Sequence, residues 1–334
     1  MAFLPARILS IGKALPKTKI TNEDLTGILD TSDEWIKTRT GIVERNVLSG
    51  QEENATTLGI EATKDALKKA NLTGADIDLI IVATSCPYNI YPSTACEIQN
   101  AIGAKVAPAF DISAACTGMM YAIQVGRSML STGFYKNVLL VATDQNSRFV
   151  DWEDRSTCIL FGDGAGAMIL TQSEDGIDDI LAVDIQADGA QGHHITSFLS
   201  GDNCPLVTPH EIGSPSIKMN GKEVYKFVVS TMPNSIDKCL EEAGLKPEDI
   251  DYLIPHQANL RIIEGLQSRL NYTDEQVITN IHMHGNTSAA SVPIAMCEGI
   301  DEGKIKLPST AILCAFGAGL TWGSLIIRLR EGIY

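Results

Sequence analysis

Basic residues are scarce in this chain of 334 residues, where 26 Lys and Arg stand against 41 Asp and Glu, a formal net charge of -15. This balance argues against general binding to nucleic acid or to an anionic membrane surface, and an acidic partner would need a local basic patch. No apolar run reaches the roughly 18 residues that span a bilayer. The first residues lack the basic region and long apolar stretch of a signal peptide. We therefore expect a cytoplasmic protein that binds neither nucleic acid nor membrane.

Patterns that would indicate disulfides, metals or bound nucleotides are also missing. The eight cysteines contain no Cys-x-x-Cys pair, so we expect reduced thiols, most of them buried as small apolar groups. His193-His194, and His282 with His284, have no Cys or carboxylate at ligand spacing, which predicts no metal site. The glycine-rich run 161–166 precedes a predicted strand rather than a helix, which argues against a dinucleotide site.

The chain does contain an internal repeat. Segment 67–78 recurs 173 positions later at 240–251, and both copies read Leu-x-x-Ala-x-Leu followed by Asp-Ile-Asp. Segments 156–166 and 309–319 share Ser-Thr-x-Ile-Leu and Gly-Ala-Gly at a spacing of 153. This order predicts a duplicated α/β chain with halves at 1–174 and 175–334. Each Gly-Ala-Gly run is predicted to form a hairpin turn, and 189–218 is predicted to be a long excursion without periodicity.

Cys116 stands at a predicted junction between a strand and a helix. An apolar strand is predicted up to Ile112, and Met119, Met120 and Ile123 follow at helical spacing. Backbone N–H groups and the positive end of that helix would stabilise a thiolate, which predicts a nucleophile at neutral pH. The small neighbouring residues would leave room for an acyl group. Taken alone, Cys116 is equally consistent with a buried structural cysteine.

Other polar residues could assist such a nucleophile. His256 follows an apolar strand predicted at 252–255, the strand end where α/β proteins place their sites. Asn286 lies in a small polar turn before another apolar helix. Phe316 begins a glycine turn, 316–319, that could bring a backbone N–H close to a reacting carbonyl. Taken singly, each of these could instead be a capping, loop or turn residue.

Together these motifs resemble the 3-oxoacyl-[acyl-carrier-protein] synthase III family of the thiolase-like superfamily. The resemblance rests on Cys116, on His-Gln-Ala-Asn at 256–259 and on Gly-Asn-Thr at 285–287, and it covers nearly the whole chain. It implies a five-layered αβαβα fold made of two duplicated halves.

The resemblance also implies an acyltransferase with a ping-pong reaction that initiates fatty acid biosynthesis. Cys116 takes an acyl group from acyl-CoA, and malonyl-acyl-carrier protein then loses carbon dioxide. The resulting carbanion attacks the Cys116 thioester to give 3-oxoacyl-acyl-carrier protein. CoA and the phosphopantetheine of the carrier protein are substrates in this scheme, so no resident cofactor is expected.

The roles of individual residues are implied by the resemblance alone. His256 Nε2 and the Asn286 amide would donate hydrogen bonds to the enolate. The backbone N–H groups of Cys116 and Ala318 would form a second oxyanion hole, and Phe316 would shield it from water.

The resemblance also implies the binding surfaces and a homodimer. Trp35 and Arg155 would hold the two faces of the CoA adenine, with the nucleotide also contacted by Arg39, Thr40 and Asn259. A basic patch for docking the acidic carrier protein would consist of Lys226, Arg261 and Arg269.

Three departures from the family pattern concern the acyl chain. Tyr91 and Met119 replace residues of the usual acyl pocket, and the excursion 189–218 is longer than in the best-known members. Because the phenol ring of Tyr91 would fill pocket volume, acetyl is the expected primer.

Several alternatives stay open. One is a related condensing enzyme of secondary metabolism with a different primer or acceptor, and another is a catalytically silent acyl-binding protein. A thiolase would need a second catalytic cysteine near the 316–319 turn, where Cys314 is the nearest. A hydroxymethylglutaryl-CoA-type synthase would need a catalytic glutamate, which the sequence does not identify.

Overall fold

The computed structural model of the chain describes residues 4–198, 206 and 213–333. Within these residues the strands are β1 (Ala6–Ala14), β2 (Lys19–Thr21), β3 (Glu44–Asn46), β4 (Leu79–Ala83), β5 (Ala109–Ile112), β6 (Asn137–Asp144), β7 (Gly164–Gln172), β8 (Ile180–Ala187), β9 (Ile195–Thr196), β10 (Lys218–Met219), β11 (Tyr252–Pro255), β12 (Ser309–Gly317) and β13 (Thr321–Leu329). The α-helices are α1 (Asn22–Thr26), α2 (Asp33–Thr40), α3 (Ala55–Lys69), α4 (Thr94–Ile102), α5 (Gly118–Leu130), α6 (Gly221–Ala243), α7 (Leu260–Leu270), α8 (Ile281–His284) and α9 (Ser291–Asp301).

Two sheets form the frame of the molecule. The first has the strand order β1-β7-β6-β4-β5 and the second the order β11-β12-β13-β8. Each combines parallel pairs, such as β4 with β5 and β11 with β12, with antiparallel pairs, such as β6 with β7 and β12 with β13. The first sheet uses strands from residues 6–172 and the second uses strands from 180–329. The division into 1–174 and 175–334 stays a prediction, and this composition supports it.

The helices arrange these sheets into layers. Helix α3 covers the outer face of the first sheet beside α4, and α6 covers the outer face of the second sheet beside α7. Helices α5 and α9 contact strands of both sheets and therefore lie between them. One apolar core joins the facing sides of the two sheets through these central helices. This is the five-layered αβαβα architecture implied by the resemblance.

Helix α5 shows how the central layer is built. Met119, Met120, Ile123 and Leu130 are buried, and the helix packs against sheets on both sides. A helix buried on both sides needs apolar residues around most of its circumference. The apolar sequence after Cys116 meets that need, and Cys116 lies, as predicted, between a strand and a helix.

One of the two predicted hairpins is wrong. Strands β12 and β13 do form an antiparallel hairpin around the second Gly-Ala-Gly run. In the first copy, residues 156–160 form turns, and the Gly-Ala-Gly run lies inside β7. Asp154 explains the difference, because its carboxylate accepts the Ser156 N–H at 2.9 Å and its carbonyl accepts the N–H groups of Thr157 and Cys158. Those N–H groups are therefore unavailable for hydrogen bonds in a β ladder.

The excursion predicted at 189–218 lies partly outside the described residues, which omit 199–205 and 207–212. Its described ends contain a 3-10 turn at 189–194 and the short strands β9 and β10. In the part of the chain that the structure describes, no helix combines the length and apolar character needed to cross a membrane.

Candidate active site

Side chains from loops of both sheets line one cavity of about 1320 Å³. Its lining includes Cys116, His256, Asn286, Phe316 and Ala318, residues that are far apart in the sequence. Three further residues of the predicted binding surfaces also line it, namely Arg39, Asn259 and Arg261. The predicted catalytic residues therefore share one cavity.

Cys116 is held in a 3-10 turn, 115–117, that leads directly into α5. The preceding Ala115 adopts a left-handed φ of 45°, a conformation that costs a residue with a Cβ roughly 1 kcal/mol. The turn is tied to the glycine turn of the second half, because the Thr117 hydroxyl donates to Thr321 Oγ1 at 2.8 Å. Thr321 in turn donates to the Ala318 carbonyl at 3.0 Å. These bonds fix the sulfur relative to residues 316–319.

The net electrostatic effect on Cys116 is opposite to the sequence-based expectation of a thiolate. Burial raises the pKa of the Cys116 thiol to about 12, against the lowering effect of the Ser288 hydroxyl. The nearby Asp144 carboxylate raises it further. A helix N-terminus stabilises an anion by at most about 2 kcal/mol, or roughly 1.5 pKa units. Burial therefore opposes the stabilising effect of the helix N-terminus on a thiolate, and the role of Cys116 as a nucleophile stays a prediction.

His256 lies immediately after β11, and its backbone N–H donates to the Cys314 carbonyl at 2.7 Å. The imidazole ring meets Phe316 edge-on, with 5.4 Å between ring centroids. Ring atom Nδ1 lies 2.6 Å from the hydroxyl oxygen of Ser291 in α9. Burial lowers the pKa of His256 to about 3, so the ring is neutral at physiological pH.

Asn286 is fixed at both backbone and side chain. Its N–H donates to the Leu160 carbonyl at 2.8 Å, and its carbonyl accepts the Gly162 N–H at 2.9 Å. The side-chain oxygen accepts the Ser288 backbone N–H at 2.8 Å. Because the oxygen is used in this way, the amide NH₂ group is left to donate towards the cavity. Asn286 therefore presents a donor whose function does not depend on pH.

A buried polar network supports the loop that carries Asn286. His284 Nδ1 lies 2.9 Å from the Asn46 side-chain oxygen, and its Nε2 lies 3.1 Å from the Glu298 carboxylate. Asn280 and Lys13 also donate to Glu298, at 2.8 and 2.9 Å. Burial alone would raise the pKa of Glu298, but the His284 contact and these two bonds hold it at about 2. The network joins residues from both ends of the chain beneath the site.

Two glycines at equivalent positions of the repeat pack against the catalytic loops. A methyl group added at Gly317 would lie 2.7 Å from Cys116 N. One added at Gly164 would lie 3.3 Å from a side-chain carbon of Thr287, the neighbour of Asn286. Each glycine thus allows close approach to a catalytic loop of the opposite half.

Two arginine side chains lie against the Trp35 ring, where the CoA adenine is predicted to bind. The Arg39 guanidinium carbon lies 4.2 Å from the centre of the Trp35 ring, and that of Arg155 lies 4.8 Å from it. Arg155 also donates to the Asp30 carbonyl. The structure therefore brings three of the predicted nucleotide-binding residues together, with both guanidinium groups against the Trp35 ring.

Thr40 and Asn259, the other two residues of the predicted nucleotide site, form hydrogen bonds within the protein. Thr40 is the last residue of α2 and is buried, and its hydroxyl donates to the Ile36 carbonyl at 2.7 Å. It does not line the cavity. Asn259 caps α7 by accepting the Arg261 N–H at 3.0 Å, while its amide donates to the Arg39 carbonyl at 3.1 Å. Asn259 does line the cavity.

The three predicted docking cations are not grouped at the cavity. Arg261 lines it and donates to the Thr38 carbonyl at 2.9 Å. Lys226 pairs with Glu223 at 2.7 Å, and Arg269 pairs with Asp237 at 3.3 Å.

Neither of the two predicted acyl-pocket residues is part of the cavity lining, although Ile90, next to Tyr91, is. Tyr91 is 89% exposed, and Met119 is buried in the central core.

Several supporting residues escaped the sequence analysis. Ser288 adopts a left-handed φ of 54°, and it interacts with both Cys116 and Asp144. Ser291 contacts His256, as described above. The signal was available, because the segment after Asn286 reads Thr-Ser-Ala-Ala-Ser and so places two serine hydroxyls close to Asn286 in the sequence.

The five-layered fold, with a cysteine, a histidine and an asparagine on one cavity, defines a condensing enzyme of the thiolase-like class. Family models agree with this class. Residues 110–189 match the model described as 3-oxoacyl-[acyl-carrier-protein (ACP)] synthase III, and residues 240–329 match the model of its C-terminal part.

Relatives and solved structures make the assignment specific. The chain is 47% identical to beta-ketoacyl-[acyl-carrier-protein] synthase III of Clostridium perfringens, across 97% of this chain and 99% of the relative. The crystal structure of 3-oxoacyl-[acyl-carrier-protein] synthase III from Aquifex aeolicus is 46% identical, with a TM-score of 0.88 and coverage of 97% and 100%. The corresponding Pseudomonas aeruginosa structure is 35% identical, with a TM-score of 0.89 and coverage of 98% and 99%. The chain belongs to the 3-oxoacyl-[acyl-carrier-protein] synthase III family.

Proposed function

We propose that this enzyme condenses an acyl-CoA primer with malonyl-acyl-carrier protein to form 3-oxoacyl-acyl-carrier protein, the first condensation of fatty acid biosynthesis. The observation that carries the proposal is the shared cavity of Cys116, His256 and Asn286. A nucleophile, a neutral ring and a fixed amide donor on one cavity suit acyl transfer followed by enolate formation.

In the first half-reaction, the Cys116 sulfur attacks the carbonyl carbon of acyl-CoA. The carbon–sulfur bond to CoA breaks, and the proton lost by Cys116 ends on the CoA sulfur. Because the proton passes from one sulfur to the other, no residue has to retain it. This suits a thiol whose pKa is raised to about 12 by burial. We assign the backbone N–H groups of Cys116 and Ala318 to the tetrahedral oxyanion. The contact of Gly317 with the Cys116 backbone supports this assignment.

In the second half-reaction, the malonyl thioester loses carbon dioxide and becomes an enolate. Its carbon attacks the carbonyl carbon of the acyl group on Cys116, the bond to the sulfur breaks, and the Cys116 thiolate takes a proton from water. We assign enolate stabilisation to His256 Nε2–H and the Asn286 amide, both neutral donors. Removing one donor of this kind typically costs roughly 3 kcal/mol in the barrier.

We place the CoA adenine against Trp35, with Arg155 on its other face. Arg155 now occupies the position beside the indole, so the adenine would displace this guanidinium by about the thickness of one ring. Its side chain is 47% exposed, and a cation–π contact at an exposed site contributes only about 0.5–1 kcal/mol. Displacement of Arg155 is therefore inexpensive.

We further propose an acetyl primer and a homodimer. Ile90 and Tyr91 are 70% and 89% exposed, next to Tyr88, which lines the cavity. Large apolar side chains exposed together are typical of an interaction surface. A second copy that covers them would place the Tyr91 ring near an acyl pocket and limit chain length. The carrier protein would dock near Arg261, at the cavity lining.

Mass spectrometry of the intact protein tests the function directly. Acetyl-CoA should add one acetyl group, located by peptide mapping at Cys116, and malonyl-acyl-carrier protein should then remove it while carbon dioxide is released. Cys116→Ser should abolish both signals. Cys96→Ser is the matched control, because Cys96 is an exposed thiol outside the cavity lining, and it should acylate Cys116 normally. An unmodified Cys116 in the wild type would overturn the proposal.

A further inference from the structure

Ser291 lies behind His256 at the start of α9 and is only 1% exposed. Its hydroxyl oxygen is 2.6 Å from His256 Nδ1, and the Gln257 backbone N–H donates to the same oxygen at 3.4 Å. A serine hydroxyl has one hydrogen to donate and two lone pairs. One lone pair faces Gln257, so the remaining question is whether the serine or the imidazole donates in the short contact.

The alternative acceptors of the hydroxyl hydrogen decide this question. If Ser291 donates to Nδ1, both the hydroxyl group and Nδ1 are bonded, and the ring hydrogen resides on Nε2. If Nδ1–H donates instead, the hydroxyl hydrogen needs another acceptor, and none of the residues that the structure describes offers one. A buried donor without a partner is disfavoured by roughly tenfold or more. The first arrangement therefore prevails.

We infer that Ser291 is a positioning residue for the condensation step. Its hydroxyl holds the neutral His256 ring in the tautomer with hydrogen on Nε2, the nitrogen on the side of the ring opposite Ser291. This nitrogen is the one that faces the cavity and donates to the enolate. Phe316 restrains the same ring edge-on, so the tautomer and the ring orientation are set by different neighbours. The inference rests on the proposed function.

The two half-reactions should depend differently on Ser291. In the assigned tautomer, Nε2 carries a hydrogen and has no free lone pair, so it is not a ready acceptor for the Cys116 proton. Acylation of Cys116 should therefore proceed without Ser291. Loss of carbon dioxide from the malonyl thioester needs the Nε2–H donor, so it should slow when the tautomer is no longer fixed.

The experiment combines ring-nitrogen NMR with separate assays of the two steps. In protein labelled with ¹⁵N-histidine, and with His256→Gln used for assignment, the wild type should show Nε2 protonated and Nδ1 unprotonated. Ser291→Ala should raise the Nδ1–H population and slow carbon dioxide release roughly tenfold through kcat rather than KM. The rate of Cys116 acylation in Ser291→Ala should stay within about twofold of the wild-type rate.

Matched variants distinguish positioning from a structural role. Ser291→Thr keeps the hydroxyl and should restore the Nε2–H tautomer. Ser235→Ala removes another buried serine hydroxyl, one without a partner among the described residues, and should change neither step. A wild-type ring protonated on Nδ1 would overturn the inference, as would equal loss of both steps in folded Ser291→Ala.

The outcomes also separate this inference from the proposed function. If Ser291→Ala does not fold, the wild-type nitrogen spectrum decides the tautomer alone. If the wild type fails to acylate Cys116, the proposed function is refuted, while the nitrogen spectrum still reports whether Ser291 sets the tautomer.

Discussion

Replacing Gly317 with alanine tests whether the glycine turn sets the position of the nucleophile. The new methyl group would lie 2.7 Å from Cys116 N and 3.1 Å from Cys116 Cβ. Ordinary contact begins at 3.4 Å, so the backbones must separate by 3.4 − 2.7 = 0.7 Å. Misplacing a catalytic group by about 1 Å can cost a hundredfold in rate. We therefore expect Gly317→Ala to slow Cys116 acylation by roughly tenfold to a hundredfold, with a stability loss of about 1–3 kcal/mol.

Quenched-flow mass spectrometry with acetyl-CoA measures the acylation rate, and urea unfolding measures stability. Gly265→Ala is the matched control, because Gly265 lies on α7 with no atom within 4 Å of an added methyl group. That variant should acylate at the wild-type rate and gain about 1 kcal/mol of stability from helix propensity. A wild-type acylation rate in folded Gly317→Ala would refute the view that this contact positions Cys116.

Three further predictions concern charge. Alkylation of Cys116 by iodoacetamide should accelerate about tenfold per pH unit above neutrality, because burial raises the pKa of the thiol to about 12 and only the thiolate reacts; a plateau near pH 7 in a pH–rate series would contradict this. Arg261→Glu should slow turnover of malonyl-acyl-carrier protein by roughly tenfold at low salt while sparing acyl-CoA loading, and equal loss of both in parallel assays would exclude a docking role. Glu298→Gln should destabilise the fold by roughly 3 kcal/mol at pH 7, since the wild-type pKa is held at about 2. That difference should be full above about pH 4.5 and shrink as the pH falls towards 2 in urea unfolding, whereas a pH-independent difference would contradict the assignment.

The duplicated α/β organisation could be predicted because it depends on patterns that one sequence displays. A repeat at fixed spacing implies two similar units, and apolar strands followed by polar turns identify the edges where functional residues lie. Cys116, His256 and Asn286 each follow or precede such an element. These patterns leave each of the three residues open to a structural role, and their grouping in one site followed from the resemblance to the synthase III family.

Other features depend on contacts between distant parts of the chain, which spacing does not reveal. The turns at 156–160 replaced a predicted strand because the carboxylate and the backbone carbonyl of Asp154 accept the local N–H groups. The stacking of Arg155 on Trp35 joins segments far apart in sequence. The pKa of Cys116 depends on how completely the surrounding layers exclude water, and local helix geometry suggested the opposite sign.

The packing of Gly164 and Gly317 has a consequence for how activity is lost. Each of these duplicated positions braces a loop that belongs to the other half, so the interlock is reciprocal. Partial separation of the halves would release the nucleophile and the amide donor together. Inactivation by heat or denaturant should therefore follow a single transition, with acyl transfer and decarboxylation disappearing at the same midpoint.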